Sequence, residues 1–230
     1  MAGLADISLL RPLGAGFLSQ LETRCSFVRY AANELIIDFD DQSDDVYFVL
    51  SGKVRILYRA GTGKEVILGE LETGEFFGEL AAIDGLARSA NVTALHRSEL
   101  CLMSGDVFNE LLDGPAEFNR CLLKVLSSRI RSLNARLAEH AFLQVRYRLF
   151  AELLRLSTPR IGGGGSRSIS PPPFHHDIAN RIGARREVVS RELSALEKAG
   201  LIDKTRGALV LKDPGELNRR ISAVLEEPAN

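Results

Sequence analysis

Four residues that can hold a small phosphate ester lie close together in the sequence, namely Gly78, Glu79, Arg88 and Ser89. Backbone N–H groups at a glycine turn and at the start of a helix attract an anion. An arginine contacts two phosphate oxygens at once, and a serine hydroxyl donates a further hydrogen bond. A glutamate accepts a hydrogen bond from a sugar hydroxyl. A single arginine, without a P-loop lysine or metal-binding carboxylates, predicts a ligand with one negative charge, such as a cyclic nucleotide monophosphate.

The same residues have a simpler interpretation, in which Glu79 and Arg88 form a surface ion pair worth ~0–1 kcal/mol. Their spacing alone leaves this alternative open. The order Gly-Glu-Leu-Ala, a short apolar turn and then Arg-Ser-Ala resembles the phosphate-binding cassette of the catabolite activator (Crp/Fnr) family of bacterial transcription regulators. The resemblance covers nearly the whole chain. It implies that Gly78, Glu79 and Leu80 belong to a cyclic-nucleotide site, with Glu79 on the ribose and Arg88 and Ser89 on the cyclic phosphate.

The charges of the chain are divided unevenly between its two halves. Residues 1–119 contain 9 Lys and Arg against 19 Asp and Glu, a net charge of −10, whereas residues 120–230 contain 20 against 11, a net charge of +9. Neutralisation of phosphates is the main source of nucleic-acid affinity. The division therefore predicts an acidic sensor half and a basic half that binds double-stranded DNA. The alternative is a basic surface without function.

The composition excludes several classes of protein. With 230 residues, 45% of them hydrophobic, the chain suits one large or two small globular domains. No apolar run reaches the roughly 18 residues of a membrane span, and the N-terminus lacks a signal peptide, so we expect a cytoplasmic protein without a membrane partner. Cys25, Cys101 and Cys121 are unclustered, which predicts reduced thiols and no iron–sulfur or other metal site.

The first half of the chain has the pattern of an antiparallel β protein. Short β-prone runs separated by Gly, Asp and Ser turns occupy residues 35–39, 46–50, 54–59, 65–68 and 91–103. Residues 4–24 suggest only short helical turns. Many short strands with glycine turns predict a jelly roll or barrel. The family resemblance makes residues 1–118 a cyclic-nucleotide-binding β-roll within an α+β fold.

A long helix is predicted to follow, because no Gly or Pro occurs between Pro115 and Pro159. Its apolar residues recur at intervals of four, seven and four, which suits a two-stranded coiled coil. The alternative is that this seam packs on the chain's own β-roll. The resemblance implies a dimerisation helix and hinge over residues 119–143, in which the helix pairs with its twin in a homodimer and floors the nucleotide pocket. The predicted seam consists of Leu122, Leu126, Leu133 and Leu137, with Val125 and Ile130 beside it.

The resemblance also assigns purine-contacting residues to this helix. Arg129 matches the family's basic residue, but Leu133 and Asn134 replace a Thr-Ser pair. Leu133 cannot hydrogen-bond an adenine amino group, whereas Asn134 carries both a donor and an acceptor. We therefore expect cyclic AMP, with cyclic GMP as a rival. Asn134 has the alternative role of a buried polar residue that sets the coiled-coil register.

The last part of the chain predicts a winged helix over residues 144–230. Residues 176–196 have the pattern of a helix-turn-helix, with Gly183 at the turn. Gly200 ends the second helix, and residues 201–204 and 208–211 form a hairpin. A winged helix can also dock proteins, so the fold alone does not establish DNA binding.

The exposed positions of the second helix favour DNA. Arg186 and Arg191 can each contact guanine O6 and N7, and Glu187 can accept from cytosine N4. The Arg-Glu-x-Val-x-Arg pattern resembles the family's recognition helix, which implies a palindrome with TGTGA-like half-sites. Each of these side chains has the alternative of being merely solvated. Four further residues are expected to contact DNA phosphates, which position the protein without reading the sequence: His175, His176, Arg181 and Arg185. Ser190 is the remaining DNA-binding candidate.

These patterns together predict a homodimeric transcription regulator with a cyclic nucleotide as allosteric ligand and RNA polymerase as a partner. No arrangement of residues predicts an enzyme or a catalytic residue. One alternative is a regulator of the same family that senses another effector, either a metabolite or a haem-bound gas, although His96 and His140 lack partners at ligand spacing. Another alternative is a cyclic-nucleotide module that regulates a partner protein.

Overall fold

The computed structural model describes residues 3–226. The chain divides into two compact units, Met1–Ile130 and Arg131–Asn230. The boundary between these units falls within the long helix. The predicted division of the chain into residues 1–118, 119–143 and 144–230 instead makes the helix and hinge a separate segment, and that division stays a prediction. No helix in the described part of the chain is both long and apolar enough to span a lipid bilayer.

The first unit is built on two antiparallel four-stranded sheets. β1, β8, β3 and β6 form one sheet in that order, and β2, β7, β4 and β5 form the other. This arrangement confirms the predicted β-roll. The strands are β1 (Ser26–Tyr30), β2 (Leu35–Ile37), β3 (Val46–Ser51), β4 (Lys53–Arg59), β5 (Glu65–Glu72), β6 (Phe76–Phe77), β7 (Asn91–Ala94) and β8 (Ser98–Met103).

β3 lies at the centre of the first unit, and its residues Val46–Leu50 are all buried. Successive side chains of a strand point to opposite faces, and here both faces have apolar partners. Phe48 belongs to a cluster that includes Phe108 and Phe118 of the helices, whereas Tyr47 belongs to a second cluster with Phe77. Because both faces of β3 are covered, its buried sequence is continuously apolar and does not alternate between apolar and polar residues.

The described part of the first unit also contains α-helices, and the last of them, α4, continues into the second unit. After two short 3-10 turns come α1 (Ala15–Glu22), α2 (Glu79–Asp84), α3 (Gly105–Leu112) and α4 (Ala116–Phe142). β1, β6 and α3 were not predicted from the sequence. Helix α3 has a recognisable start, because the Ser104 side chain accepts a hydrogen bond from the backbone N–H of Val107 at 3.4 Å.

The first turns of α4 pack against the β-roll. Phe118 and Leu122 are 0% and 3% exposed, and Val125 and Leu126 are partly buried against the same core. Leu122 was predicted to belong to the dimer seam, and that assignment is wrong. The alternative interpretation, packing on the chain's own β-roll, holds for this part of the helix.

A different column of α4 is exposed. Leu123, which is 63% exposed, takes the position predicted for Leu122. The spacing of this column alternates between three and four residues, which is the heptad pattern of a coiled coil. Asn134 is exposed and follows a member of this column, so it does not occupy a seam position in this pattern. The exposed stripe comprises Leu123, Ile130, Leu133 and Leu137, with the half-buried Leu126 between the first two.

The second unit contains a helix-turn-helix followed by a hairpin, as predicted. Its sheet has the strand order β11-β12-β10-β9. Apolar residues of α5, α6 and α7 form one core with the hairpin strands. Helix α8 at the end was not predicted. The elements are α5 (Val145–Leu156), β9 (Thr158–Pro159), β10 (Arg167–Ile169), α6 (His175–Ile182), α7 (Arg186–Lys198), β11 (Ile202–Lys204), β12 (Leu209–Leu211) and α8 (Pro214–Glu226).

A buried carboxylate joins three elements of the second unit. The Glu152 side chain is only 1% exposed, and its oxygens lie 3.6 Å from Arg181 Nη1 and 4.0 Å from Arg136 Nη2. Arg155 contacts Glu152 from the same helix and Glu139 at 2.5 Å. Burial of a charge is costly unless it is paired. This Glu152 network therefore holds the last turns of α4, α5 and α6 together.

Candidate ligand site and nucleic-acid interface

The predicted cassette is a strand–turn–helix element. β6 ends at Phe77, Gly78 adopts a left-handed conformation with φ of 86°, and α2 begins at Glu79. A Cβ atom on Gly78 would lie 2.7 Å from the carbonyl oxygen of Asp45. Only glycine fits this turn without displacing the backbone. The backbone N–H groups in the first turn of α2 have no acceptors within the helix, so they can face an anion.

Arg88 is buried beneath this turn, with 3% of its surface exposed. Its Nε donates to Ser43 Oγ at 3.0 Å, Nη1 to the Gly78 carbonyl at 2.8 Å and Nη2 to the Asp45 carbonyl at 2.8 Å. A guanidinium has five N–H donors. One donor on each Nη is left over among the described contacts, so Arg88 can support the turn and still bind an anion.

Asp45 is itself affected by this arrangement. Burial raises the pKa of the Asp45 carboxyl, and repulsion from Asp44 raises it further, whereas the Arg88 guanidinium lowers it. The acidic run before β3 thus lies beside the cassette arginine. Sequence patterns did not identify Ser43 or Asp45 as partners of Arg88, because the contacts are to a hydroxyl and a carbonyl 43 to 45 positions away.

Glu79 does not pair with Arg88, as the surface ion-pair alternative required, but with Arg129 on α4. The Glu79 carboxylate is buried and accepts from Arg129 Nη1 at 2.6 Å. Arg129 Nη2 donates to the Phe76 carbonyl at 2.6 Å, and the guanidinium lies 4.7 Å from the centre of the Phe76 ring. Two residues predicted for the nucleotide site, Glu79 and Arg129, are therefore brought together.

The other predicted ligand residues are exposed. Ser89, the residue after the buried Arg88, is exposed, and Leu80 on α2 is 46% exposed. Leu133 and Asn134 lie on the part of α4 that belongs to the second unit, and both are exposed. The structure thus groups Gly78, Glu79, Arg88 and Arg129 in the first unit, and the ligand roles of all eight predicted residues remain predictions.

The second helix of the helix-turn-helix presents two arginines to solvent. Gly183 ends α6 with φ of 61°, and Arg185 is the N-cap of α7. Arg186, Glu187 and Arg191 are all exposed on α7. The Arg191 side chain is 72% exposed. A helix with exposed arginines near its N-terminus has the chemistry needed to contact base edges in a major groove.

The two predicted histidines at the start of α6 have different surroundings. His175 Nδ1 lies 2.7 Å from Ser190 Oγ on α7. Burial, and then the positive charges of Lys204 and Arg186, lower the pKa of His175. His176 is exposed, and its Nε2 lies 3.3 Å from Asp177 Oδ1.

Arg181 does not reach the surface. It is 7% exposed and faces Glu152 in the network described above. The expectation that Arg181 contacts a DNA phosphate is therefore wrong. Its apolar neighbour Ile182 belongs to the core of the same unit. Because the counter-charge Glu152 lies 29 positions earlier in the chain, no local sequence pattern could have identified this pairing.

Two family profiles match the two parts of the chain. The cyclic nucleotide-binding domain matches residues 27–114, and the Crp-like helix-turn-helix domain matches residues 147–220. The first match contains the cassette, and the second contains both helices of the helix-turn-helix. Together they define a transcription regulator with a sensor domain of the cyclic-nucleotide-binding type.

Curated relatives cover most of the chain. The cAMP-activated global transcriptional regulator Vfr of Pseudomonas aeruginosa is 31% identical over 189 residues, which are 80% of this chain and 88% of Vfr. The cyclic AMP receptor protein of Thermus thermophilus is 32% identical over 192 residues, 82% of this chain and 81% of that protein. The chain belongs to the Crp/Fnr family of transcription regulators, as its resemblance predicted.

Solved structures share the fold. A CooA variant from Carboxydothermus hydrogenoformans superposes with a TM-score of 0.80 at 22% identity, covering 94% of this chain and 96% of CooA. The c-di-GMP-responsive regulator CLP of Xanthomonas campestris has a TM-score of 0.74 at 23% identity, covering 86% of this chain and 99% of CLP. At these identities the similarity concerns the fold alone.

Proposed function

We propose that this regulator binds cyclic AMP in the β-roll and, as a homodimer, binds a palindromic TGTGA-like operator through α7. The observation that carries the ligand assignment is the buried Arg88, which supports the Gly78 turn and keeps one donor on each Nη. Two relatives have names that specify cyclic AMP. Cyclic GMP is the rival ligand, because Asn134 can pair with either purine edge.

Parallel calorimetric titrations with cyclic AMP and cyclic GMP test the ligand, and operator binding with and without nucleotide tests the coupling. We expect saturable binding of cyclic AMP and a rise in operator affinity of about 5–150-fold, the usual range of an allosteric coupling. The operator is selected from random duplexes with the wild-type protein. Absence of binding to both nucleotides, or equal operator affinity with and without them, would contradict the proposal.

A second candidate is a member of the same family with another effector. Leu133 and Asn134 depart from the family's Thr-Ser pair, which favours this possibility for the purine end of the ligand. Titration with cyclic di-GMP and the visible absorbance spectrum of the purified protein distinguish these cases, because a bound haem absorbs strongly.

A third possibility, a cyclic-nucleotide module that regulates a partner protein, predicts that the protein selects no duplex from the random pool. Contact with RNA polymerase is part of the proposal and is tested by transcription from a promoter carrying the selected operator.

Dimerisation through the exposed stripe gives the first mutational prediction. Leu137→Glu places a carboxylate in the seam of both helices and removes two leucines from it. Burial of one leucine contributes about 1.5–3 kcal/mol, so we expect dimer dissociation to be favoured by at least ~100-fold. Sedimentation equilibrium measures this change. Ala138→Glu, on an exposed neighbouring position, is the control and should leave the dimer intact; equal behaviour of the two variants would reject the stripe as the interface.

The recognition helix α7 gives the second mutational prediction. Arg186→Ala should weaken operator binding by about 1–3 kcal/mol and relax the preference at one base pair of each half-site. Arg185→Ala, which removes an expected phosphate contact, should weaken all sequences alike. A panel of single-base operator variants separates the two effects. Half-sites are expected about 10–10.5 bp apart. An unchanged base preference in Arg186→Ala would remove Arg186 from the base-reading set.

A further inference from the structure

Ser190 on α7 is one of the predicted DNA-binding residues, but the group that it would contact is not assigned. It is four residues after Arg186 and three after Glu187, and residues at these spacings are neighbours on one helix face. A serine hydroxyl can rotate, and it can donate or accept a hydrogen bond. Which base group it recognises therefore depends on what fixes its proton.

His175 is the residue that contacts this hydroxyl. Its Nδ1 atom lies 2.7 Å from Ser190 Oγ, across the angle between α6 and α7. Lys204 of β11 and Arg186 of α7 are the charged groups that, together with burial, lower the pKa of His175. On its own helix, the nearby Asp177 carboxylate is directed to His176. The lowered pKa of His175 favours the neutral imidazole, which has one ring nitrogen as donor and the other as acceptor.

We propose that His175 is a positioning residue that fixes the Ser190 hydroxyl as an acceptor for an exocyclic amino group, either adenine N6 or cytosine N4, in the major groove. The inference rests on the proposed DNA binding. His175 is an expected phosphate contact, and a phosphate accepts a hydrogen bond from Nε2–H. That contact selects the tautomer in which Nδ1 is the acceptor. Ser190 then donates its proton to Nδ1 and offers only lone pairs to the base.

Protonation of His175 reverses this polarity. In the imidazolium both ring nitrogens are donors, so Nδ1–H donates to Ser190 Oγ and the hydroxyl proton turns towards the base. Ser190 then suits acceptors such as guanine O6 or thymine O4. Because DNA phosphates raise the pKa of a bound histidine, pH 8.0 is needed to observe the neutral form, and pH 5.5 favours the protonated one.

The test measures binding to every single-base variant of the selected operator, with the wild type, Ser190→Ala and His175→Phe at pH 8.0 and 5.5. Ser190→Ala should reduce the preference for adenine or cytosine at one position by about three- to ten-fold, the equivalent of one neutral hydrogen bond. His175→Phe should cause the same loss at the same position, together with a uniform loss from the phosphate contact. The wild-type preference at that position should change between the two pH values, and the change should be absent in both variants. Ser194→Ala, one turn further along α7 and exposed, is the matched control.

Three results would overturn the inference: an unchanged preference in Ser190→Ala, a changed preference in Ser190→Ala that His175→Phe does not reproduce, or a wild-type preference independent of pH. Circular dichroism of each variant shows whether it folds, and Ser190→Ala removes only one oxygen atom, so its result stands even if His175→Phe unfolds. A wild-type protein that selects no duplex would instead contradict the proposed function. The two failures are thus distinguishable.

Discussion

Replacement of Arg88 by alanine should lower the stability of the first unit by at least about 4 kcal/mol and eliminate measurable nucleotide binding. The guanidinium donates to Ser43 Oγ and to the carbonyls of Gly78 and Asp45, all from a buried position. Each hydrogen bond of a charged group contributes about 1.5–3 kcal/mol, and the buried carbonyls lose their partner. The cassette turn itself therefore depends on Arg88, in addition to any contact with the ligand.

Amide hydrogen exchange read out by mass spectrometry measures this loss locally, in peptides from β3 and α2. Arg88→Lys should recover only part of the stability. The lysine keeps the positive charge, but an ammonium cannot reproduce the three contacts of the planar guanidinium. Arg59→Ala is the control, since the Arg59–Glu65 pair is exposed and such pairs contribute only ~0–1 kcal/mol. Normal protection in Arg88→Ala would show that the turn does not need the guanidinium. Loss of protection with unchanged nucleotide affinity would instead remove Arg88 from the phosphate site.

The second large effect is expected at Glu152. Glu152→Gln should destabilise the second unit by about 3–5 kcal/mol, because it removes the buried negative charge that faces Arg136, Arg155 and Arg181. Exchange protection of α5 and α6 should fall, while that of β3 in the first unit should not. The reason is the asymmetry of buried pairs: loss of one partner leaves the others desolvated without compensation.

A replacement of the buried charges as a group provides the complementary test. Glu152→Leu combined with Arg136→Met and Arg181→Met substitutes apolar side chains for the carboxylate and two of its arginines, while Arg155 keeps its contact with Glu139. This variant should recover much of the stability lost in Glu152→Gln, as is usual when buried ion pairs are replaced by packed hydrophobic residues. Glu197→Gln, which breaks only the exposed contact with Lys204, should cost less than about 1 kcal/mol. If Glu152→Gln behaves like Glu197→Gln, the network is not a structural element of the winged helix.

The sequence was sufficient for those parts of the fold that depend on local patterns. Gly78 predicted a turn, Gly183 predicted the turn between two helices, and Gly200 predicted the end of a helix; all three have positive φ. The two strands of the hairpin and the long helix followed from their apolar spacing. Turns and helix ends depend on residues close in sequence, so local patterns contain the necessary information.

What the sequence could not provide was the direction in which a predicted element faces. Leu122 and Leu123 are adjacent leucines, and only the position of α4 on the β-roll determines which of them is buried. The same limit applies to Arg181, whose charge suggested the surface although its partner Glu152 lies inside the second unit. Glu79 and Arg129 were each assigned to the ligand site, but their mutual contact joins positions 50 residues apart. Such contacts follow from tertiary packing.

The burial of Leu122 next to the exposed Leu123 has a consequence for how this helix can evolve. A change at position 122 is constrained by the fold of a single chain, whereas a change at position 123 is constrained only by whatever covers that column. The two constraints act on adjacent residues that lie on different faces of one helix, so the residue at either position can change without altering the contacts of the other. If the exposed column is the dimer interface proposed above, its residues can change the choice of partner while the core of the sensor domain is retained.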